Sequence, residues 1–235
     1  MKTETSCITL RTQALWDLTH TRARPWLEHT EYPWEILDQI ATLIREIGEM
    51  LDPALYDHPA DGIWIAKSAT VALTAHIGAP AIIGEGSEVR HGAFIRGAAL
   101  VGDGCVVGNS TELKNCILFD GVQVPHYNYV GDSVLGYKSH LGAGAITSNV
   151  KSDKGPVVVK PAVGYEKAFA PITTGKKKFG AILGDFVEVG CNSVLNPGTV
   201  IGPHSNVYPL SSVRGAVPSH AIFKSGRGSE IVEKN

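Results

Sequence analysis

The sequence predicts a mainly β protein: a parallel β-helix built from six-residue repeats, with an N-terminal helical segment and an inserted arm. Three observations carry this prediction. Aliphatic residues recur at every sixth position from Ile65 to Leu113, and small residues recur four positions after them. The residues before about 60 show a helical spacing instead. The repeat then lapses between about 151 and 180 and resumes at Leu183.

The repeat itself is the strongest of these signals. Its first positions are all aliphatic: Ile65, Val71, Ile77, Ile83, Val89, Ile95, Val101, Val107 and Leu113. An ordinary strand-rich domain alternates with period two and has no reason to keep period six for about fifty residues. Three six-residue units form one triangular coil of about eighteen residues, with the aliphatic side chains pointing inward. Backbone amides then bond to the coils above and below, about 4.8 Å away.

The N-terminal segment, residues 1–60, is predicted to be helical. Five aliphatic residues share one helical face: Ile36, Ile40, Ile44, Ile47 and Leu51. Pro33 suits the start of this helix, and Pro53 follows its end. We expect the helix to pack on the solenoid or cap it, with docking to a partner domain as the alternative. A second short helix is predicted within "LRTQALWDL".

The remaining chain, residues 61–235, is assigned to the β-helix domain, interrupted by the arm at about 151–180. A stretch of that length is too long for an idle connection. It contains "PVVV" and several glycines, and we expect an arm or hairpin that projects from the coil. Its "GKKKFG" is expected to be a solvated surface, with anion binding as the alternative.

Composition excludes several function classes. Lysine and arginine total 21 against 23 acidic residues, so no basic excess favours nucleic-acid binding. The four cysteines lie far apart without a CxxC pair, which argues against a zinc ribbon, a redox motif or a disulfide framework. No run approaches the 18 apolar residues of a membrane span, and the N-terminus lacks the apolar region of a signal peptide. We therefore expect a cytoplasmic protein that does not contact membranes.

Chemistry is expected where polar groups interrupt the pattern. The candidates are Arg96, Glu112, Lys114, His126, Tyr129, His140 and Asn149. Arg96 and Lys114 are 18 residues apart, so a coil of that length stacks them along one edge. Two stacked cations near a histidine repel each other unless an anion compensates them, which favours an anionic ligand. Zinc is the competing hypothesis, but the histidines show no HxxxxH spacing, so no metal is expected.

One stretch resembles a known family. The segment "HYNYVGD", followed by "LGAGAITSN", contains the motifs HxxYxGD and xGAGxITxN. In the context of the repeat, these motifs resemble the glucosamine-1-phosphate N-acetyltransferase half of the bifunctional UDP-N-acetylglucosamine pyrophosphorylase family. The similarity covers residues 83–149 and 178–220. It implies a left-handed parallel β-helix, assembly as a homotrimer with active sites between subunits, and acetyl-CoA as co-substrate.

The resemblance also implies roles for individual residues. Arg96 and Lys114 match positions that bind the sugar phosphate, and Tyr129 matches a substrate-binding tyrosine. His126 matches the general base, and Glu112 matches the carboxylate that supports it. Asn149 matches an asparagine near the acetyl group.

The cofactor-binding positions are matched less closely. Lys178 is the best counterpart of a loop lysine, and Cys191 replaces a serine near acetyl-CoA. The CoA phosphates require cations near the C-terminal coils, where Arg214, Lys224 and Arg227 are available. His140 replaces a sugar-binding asparagine, which leaves the sugar open. The sequence shows no glycine-rich nucleotidyltransferase loop, so uridylyl transfer is expected to need a separate nucleotidyltransferase chain.

Two hypotheses follow from these residues and from the resemblance. The first is an acetyl-CoA-dependent N-acetyltransferase that acts on an amino-sugar 1-phosphate in nucleotide-sugar biosynthesis. In it, neutral His126 removes a proton from the attacking amine. The second is a non-catalytic protein that binds a nucleotide sugar or assembles with a separate nucleotidyltransferase. Transfer to oxygen rather than nitrogen remains a variant of the first.

Overall fold

A computed structural model describes residues 10–226 and 228–233 and confirms the parallel β-solenoid. From residue 10 onward, the N-terminal segment contains three α-helices: α1 (Thr12–Leu15), α2 (Arg24–Leu27) and α3 (Ile40–Met50). Two 3-10 turns, Leu18–His20 and Pro33–Asp38, lie between them. The predicted helix from Pro33 is therefore divided, since residues 33–38 form the tighter turn and only the following residues are α-helical.

Short strands make up the rest of the chain. Those before the insert are β1 (Tyr56–Ala60), β2 (Ile63–Ala66), β3 (Thr70–Val71), β4 (His76–Ile77), β5 (Ala81–Ile83), β6 (Glu88–Val89), β7 (Phe94–Ile95), β8 (Ala99–Val101), β9 (Val106–Asn109), β10 (Glu112–Leu118), β11 (Gln123–His126), β12 (Tyr129–Leu135), β13 (His140–Leu141) and β14 (Ile146–Thr147). The insert contains β15 (Val158–Val159) and β16 (Ile172–Thr173). The final strands are β17 (Ala181–Leu183), β18 (Glu188–Val189), β19 (Val194–Leu195), β20 (Thr199–Ile201), β21 (Asn206–Val207), β22 (Ser212–Val213), β23 (Ala216–Val217), β24 (Ala221–Gly226) and β25 (Gly228–Glu233).

The strands stack in parallel on three faces. The first face runs through β2, β5, β8, β17, β20 and β23; the second through β3, β6, β9, β11, β13, β18, β21 and β24; and the third through β4, β7, β14, β19 and β22. The longer strands β10 and β12 turn a corner and belong to both the third and the first face. In these two coils the step between aliphatic residues is five instead of six, because the corner is one residue shorter.

The repeat aliphatics form the interior, as predicted. On the first face Ile83 aligns with Val101, Val101 with Leu118, and Leu118 with Leu135, and all four side chains are fully buried. The small residues accompany them at the bends, where Ala99 and Cys105 are buried. Aliphatic residues therefore stack on aliphatic residues, and small residues on small ones, from coil to coil. The six-residue repeat is the direct consequence of that stacking.

The helical segment packs against the outside of the first face. Helix α3 contacts β5, β8 and β10, and the 3-10 turn at 33–38 contacts β12. The covered residues are aliphatic and buried although they point away from the solenoid interior: Ile82, Leu100, Ile117 and Val134. Ile182 and Val200, on the next coils of this face, are buried as well. The helix therefore covers a side of the solenoid.

The insert contains an antiparallel pair, with Val158 aligned to Thr173 and Val159 to Ile172. It lies along the C-terminal coils instead of projecting from them. The Lys160 carbonyl accepts a hydrogen bond from the Ala216 amide (2.7 Å), and Val157, Val159 and Ala162 are buried. Gly198 and Gly215 have φ of 81° and 85°, and a Cβ at either would overlap the insert. These two glycines therefore permit the close approach.

Two further predictions concern membrane contact and the division of the chain into domains. Within the described residues no helix is long and apolar enough to cross a membrane. The division of the chain at residue 60 stays a prediction.

Lys176, from the "GKKKFG" stretch, forms an ion pair with Asp38 of the helical segment. That lysine therefore links the insert to the helical segment, while Lys177 and Lys178 are exposed.

Candidate functional site

Adjacent coils place several of the predicted site residues on the outer surface of the third face. Glu112 aligns with Tyr129 on β12, and Lys114 aligns with Gly131. Arg96 lies one coil earlier, since Ile95 of β7 aligns with Leu113 of β10. The spacing of these residues in the sequence therefore predicted correctly that they lie next to one another on adjacent coils.

Asp132 is the centre of the hydrogen-bond network on this face. Its carboxylate is almost fully buried and lies 3.3 Å from Lys114 Nζ. It accepts a hydrogen bond from Asn115 Nδ2 at 2.8 Å and another from Asn149 Nδ2. Asn115 Nδ2 also donates to the Leu37 carbonyl (3.1 Å), which ties the network to the helical segment. A single buried carboxylate therefore orients Lys114 and Asn149.

Asp132 lies within the motif HxxYxGD but was not among the predicted site residues. The signal was present in the sequence, because the aspartate ends the motif and is followed directly by the apolar residues of β12. Its role was missed because a spacing pattern does not show which residues a buried carboxylate contacts.

Arg96 and Glu112 form the second pair of this face. Arg96 Nη1 lies 2.7 Å from Glu112 Oε1, and both side chains are partly exposed. Glu112 raises the pKa of Arg96 by accepting this hydrogen bond. The expectation that Arg96 and Lys114 are uncompensated cations is wrong, since Glu112 and Asp132 each supply a carboxylate. The support of His126 by Glu112 stays a prediction, because the only contact seen for that carboxylate within the described chain is with Arg96.

Tyr129 lies between these pairs and is half-buried. Burial raises its pKa, and the nearby charges of Asp132 and Glu112 raise it further. The phenol therefore stays protonated at neutral pH and can donate a hydrogen bond. Its ring lies over Gly131, where a Cβ would overlap the phenol oxygen.

His126 lies at the corner between the second and third faces, at the end of β11. Its side chain is exposed, and its imidazole forms no hydrogen bond or ion pair to any described residue. The backbone around it is fixed: the His126 amide donates to Asn128 Oδ1 (3.1 Å), and its carbonyl accepts from Gly144 (3.0 Å). Asn128 is buried and donates to the carbonyls of Gly142 and Ala145. The corner thus presents a free imidazole on a rigid support.

A groove of about 930 Å³ lies on the second face, in the C-terminal coils. His140 and Glu188 pair across adjacent strands, with Nδ1 2.8 Å from Oε2. Exposed Cys191 also lines the groove, as does Lys224, whose Nζ lies 5.4 Å from the centre of the Tyr208 ring. Strand register places Ala143 and Cys191 one and two coils beyond His126, because Gln123 aligns with His140 and Leu141 with Val189. Two coil steps correspond to about 10 Å.

The remaining predicted residues lie elsewhere. Lys178 is exposed and precedes Phe179, whose amide donates to the Asn149 carbonyl (2.9 Å). Arg214 does not line the groove of His140 and lies on the third face. Arg227 lies outside the described residues. In the described chain, no three or more histidine, cysteine or acidic side chains are grouped as a metal site.

Comparison with known proteins identifies the family. The model of the GMPPB C-terminal domain matches residues 77–217, which is more than half of the chain. The chain belongs to this family.

The curated relatives of this chain include larger proteins. A bifunctional sugar-1-phosphate nucleotidylyltransferase/acetyltransferase of Sulfurisphaera tokodaii is 34% identical over 115 residues, covering 49% of the chain and 27% of the relative. The bifunctional protein GlmU of Methanococcus maripaludis is 37% identical over 97 residues, covering 41% of the chain and 22% of the relative. The resemblance drawn from the motifs is confirmed. The chain spans about a quarter of the length of these relatives.

Solved structures are more distant. The acetyltransferase domain of PglB from Neisseria gonorrhoeae, in complex with acetyl coenzyme A, has 16% identity and a TM-score of 0.34, covering 73% of this chain and 58% of that one. A hexapeptide transferase family protein from Anaplasma phagocytophilum has 15% identity and a TM-score of 0.40, covering 74% and 81%. At this similarity neither structure bears on function.

Proposed function

We propose that the chain is an acetyl-CoA-dependent N-acetyltransferase acting on an amino-sugar 1-phosphate. The observation that carries this proposal is the placement of the His126 imidazole, which has no partner among the described residues, at the corner beside a face that bears Arg96, Lys114 and Tyr129. The Sulfurisphaera tokodaii relative, whose name includes acetyltransferase, supports the reaction class.

The cations of the third face retain donors for a phosphate although each has a carboxylate partner. A guanidinium has five N–H donors and an ammonium has three, and the pairs with Glu112 and Asp132 use only part of them. Charge-assisted hydrogen bonds from these groups suit a sugar phosphate. The protonated Tyr129 phenol would hold a sugar hydroxyl between the phosphate and the corner.

His126 supplies the proton transfer in this proposal. A neutral imidazole accepts the proton that the attacking amine loses as the new amide bond forms and the thioester bond breaks. The leaving group is the CoA thiolate, which takes this proton from the imidazolium and leaves as the thiol, so that His126 is neutral again. The developing oxyanion needs a backbone donor. The amide of Ala143, one coil beyond His126, bonds to no acceptor within the described residues and suits this role.

The second-face groove is the proposed acetyl-CoA site. It begins beside Ala143 and Cys191, close to His126 in register, and carries Lys224 for a CoA phosphate. Lys178, Cys191, Asn149 and Arg227 keep their predicted parts in substrate and cofactor binding. Homotrimeric assembly and a cytoplasmic location belong to the same proposal. The homotrimeric assembly is supported by exposed apolar side chains along the corner: Leu73, Tyr127 and Leu210.

The proposal is tested by thiol release from acetyl-CoA with glucosamine-1-phosphate or galactosamine-1-phosphate as acceptor. We expect His126→Ala to lower kcat by about 10²- to 10⁴-fold with little effect on thermal stability, because the side chain is exposed. His91→Ala is the matched control: His91 occupies the same corner two coils earlier, since Val89 aligns with Val107 and Val107 with Val124.

Two outcomes would count against the proposal. Full activity of His126→Ala would remove the base assignment. Absence of thiol release with every amino-sugar phosphate, together with binding of a UDP-sugar, would favour the alternative of a non-catalytic nucleotide-sugar-binding protein or assembly partner of a nucleotidyltransferase.

A further inference from the structure

A second groove, of about 590 Å³, lies between the insert and the C-terminal coils. We call it the insert groove. It is bordered by Ser148 and Val150 just before the insert, by residues 151–153 and parts of 158–163 in the insert, and by Asn196, Pro197, Arg214 and Gly215 on the coil. Its volume falls within the range of small-molecule sites, about 300–1,000 Å³. None of the side chains proposed for acetyl transfer lines it.

The charge of the insert groove is positive and only partly compensated. Lys151 pairs with Asp153 at 3.0 Å. Lys160 and Arg214 also line the groove and are exposed, and neither forms an ion pair with any described residue. They are close neighbours, because the Lys160 carbonyl accepts from the amide of Ala216, two residues after Arg214. Two like charges brought together in a concavity repel each other unless an anion lies between them.

The other walls of the insert groove are apolar or carry neutral polar groups. Val158 and Val163 of the insert and Pro197 of the coil supply flat aliphatic surface, and Val163 is more than half exposed. Ser148 supplies a hydroxyl group. The groove therefore offers both cations for an anion and apolar surface for a ring.

We propose that the insert groove is a binding site for a nucleoside diphosphate. Lys160 and Arg214 bind the diphosphate, and the valine and proline walls contact the base. The diphosphate supplies the negative charge that two cations require, and the base supplies apolar area that inorganic phosphate lacks. The source is either a free nucleotide or the adenosine diphosphate part of a co-substrate such as CoA. In the second case CoA binds in the insert groove, and the acetyl-CoA site proposed in the second-face groove is wrong. This inference does not rest on the proposed acetyl transfer.

The test is calorimetric titration of the full chain with ADP, UDP, inorganic phosphate and CoA at low and moderate salt. We expect the nucleoside diphosphates to bind at one site per chain, more tightly than phosphate and more weakly as salt rises. Arg214→Gln and Lys160→Gln should each weaken ADP binding about tenfold. Lys167→Gln is the matched control, since Lys167 is an exposed lysine of the insert that does not line the groove.

The titrations either overturn the proposal or identify the source of the nucleotide. Unchanged ADP affinity in both variants, phosphate binding as tightly as ADP, or no nucleotide binding at millimolar concentration would overturn the proposal. If CoA affinity falls in Arg214→Gln as much as ADP affinity does, the ligand is the nucleotide end of a co-substrate; if only ADP affinity falls, it is a free nucleotide. Thermal melting of all three variants identifies any that fail to fold. His126→Ala should lose thiol release but bind ADP as the wild type does. The acetyl-transfer proposal and the nucleotide-binding proposal can therefore fail independently.

Discussion

The first and third faces of the solenoid use the same coil positions for different purposes. On the first face, the residues that point outward just before each repeat aliphatic are Trp64, Ile82, Leu100, Ile117, Val134, Ile182 and Val200. On the third face, the equivalent residues are His76, Phe94, Glu112, Tyr129, Ile146, Val194 and Ser212. Within the first set, Ile82, Leu100, Ile117 and Val134 lie on strands that the helical segment contacts, and the second set is left open. The interior repeat is the same for both, so the outward residues decide which face is covered.

The largest expected effect compares one aliphatic residue on each face. Ile117→Ala should lower the free energy of unfolding by about 2–5 kcal/mol, because the side chain is fully buried beneath the helical segment. Ile146→Ala removes the same atoms from the third face, where the side chain is partly exposed, and should cost about 1 kcal/mol. Denaturant unfolding measures both. Equal losses would mean that the helical segment adds nothing to the burial of the first face.

The next effect concerns the buried carboxylate of the third face. Asp132→Asn should cost about 1–3 kcal/mol, because it removes the charge that compensates Lys114. It should also reduce thiol release, since Lys114 and Asn149 lose their common partner.

Asp153→Asn is the control for this variant. It alters an exposed aspartate that pairs with Lys151 at 3.0 Å, and it should change stability by less than about 0.5 kcal/mol. If the two variants have equal stability, Asp132 does not organise the face.

A smaller effect depends on pH and concerns the edge of the first face. Asp185 accepts hydrogen bonds from the amides of Asp17 and Tyr137 (2.7 and 2.8 Å), and burial raises its pKa. The folded protein therefore binds this proton more tightly than the unfolded chain does. The resulting stabilisation is present at low pH and is lost as pH rises through the raised pKa.

Asp185→Asn removes that proton uptake. Relative to wild type, the variant should therefore lose stability between pH 7 and pH 4, as measured by urea unfolding at each pH. A difference that stays constant across this range would show that Asp185 titrates alike in the folded and unfolded chains.

The smallest expected effect is at the open corner. Tyr127 is exposed, with φ of 51°, and lies beside His126. Tyr127→Asn should leave the stability of the single chain within about 0.5 kcal/mol, because asparagine tolerates this backbone conformation and little area is buried. Sedimentation of the same variant examines the proposed trimer. A clear loss of stability without a change in assembly would mean that the corner is already covered within one chain.

Part of the site could be predicted from the sequence. The neighbourhood of Arg96, Glu112, Lys114 and Tyr129 follows from the coil length, because residues one coil apart stack. The hydrogen-bond partner of each side chain could not be predicted. Glu112 bonds to Arg96, and Asp132 bonds to Lys114, Asn115 and Asn149. Those contacts depend on side-chain directions that a period does not encode.

The covered face also had a signal in the sequence that the repeat analysis did not use. Trp64, Ile82, Leu100, Ile117 and Val134 recur at steps of 17 or 18 residues, one position before the interior aliphatics. Adjacent apolar residues that point inward and outward predict a strand buried on both sides. Only the structure shows that the cover is the N-terminal segment of the same chain.

The sequence by itself determined the solenoid, because a six-residue repeat of aliphatic and small residues can bury its apolar side chains only by stacking coil on coil. It also determined where the repeat stops and which polar residues interrupt it. The tertiary structure decided where the nonrepetitive segments lie: the helical segment on the first face and the insert along the C-terminal coils. Their positions depend on surfaces that exist only after the coils have formed, such as the aliphatic first face and the open space above Gly198 and Gly215.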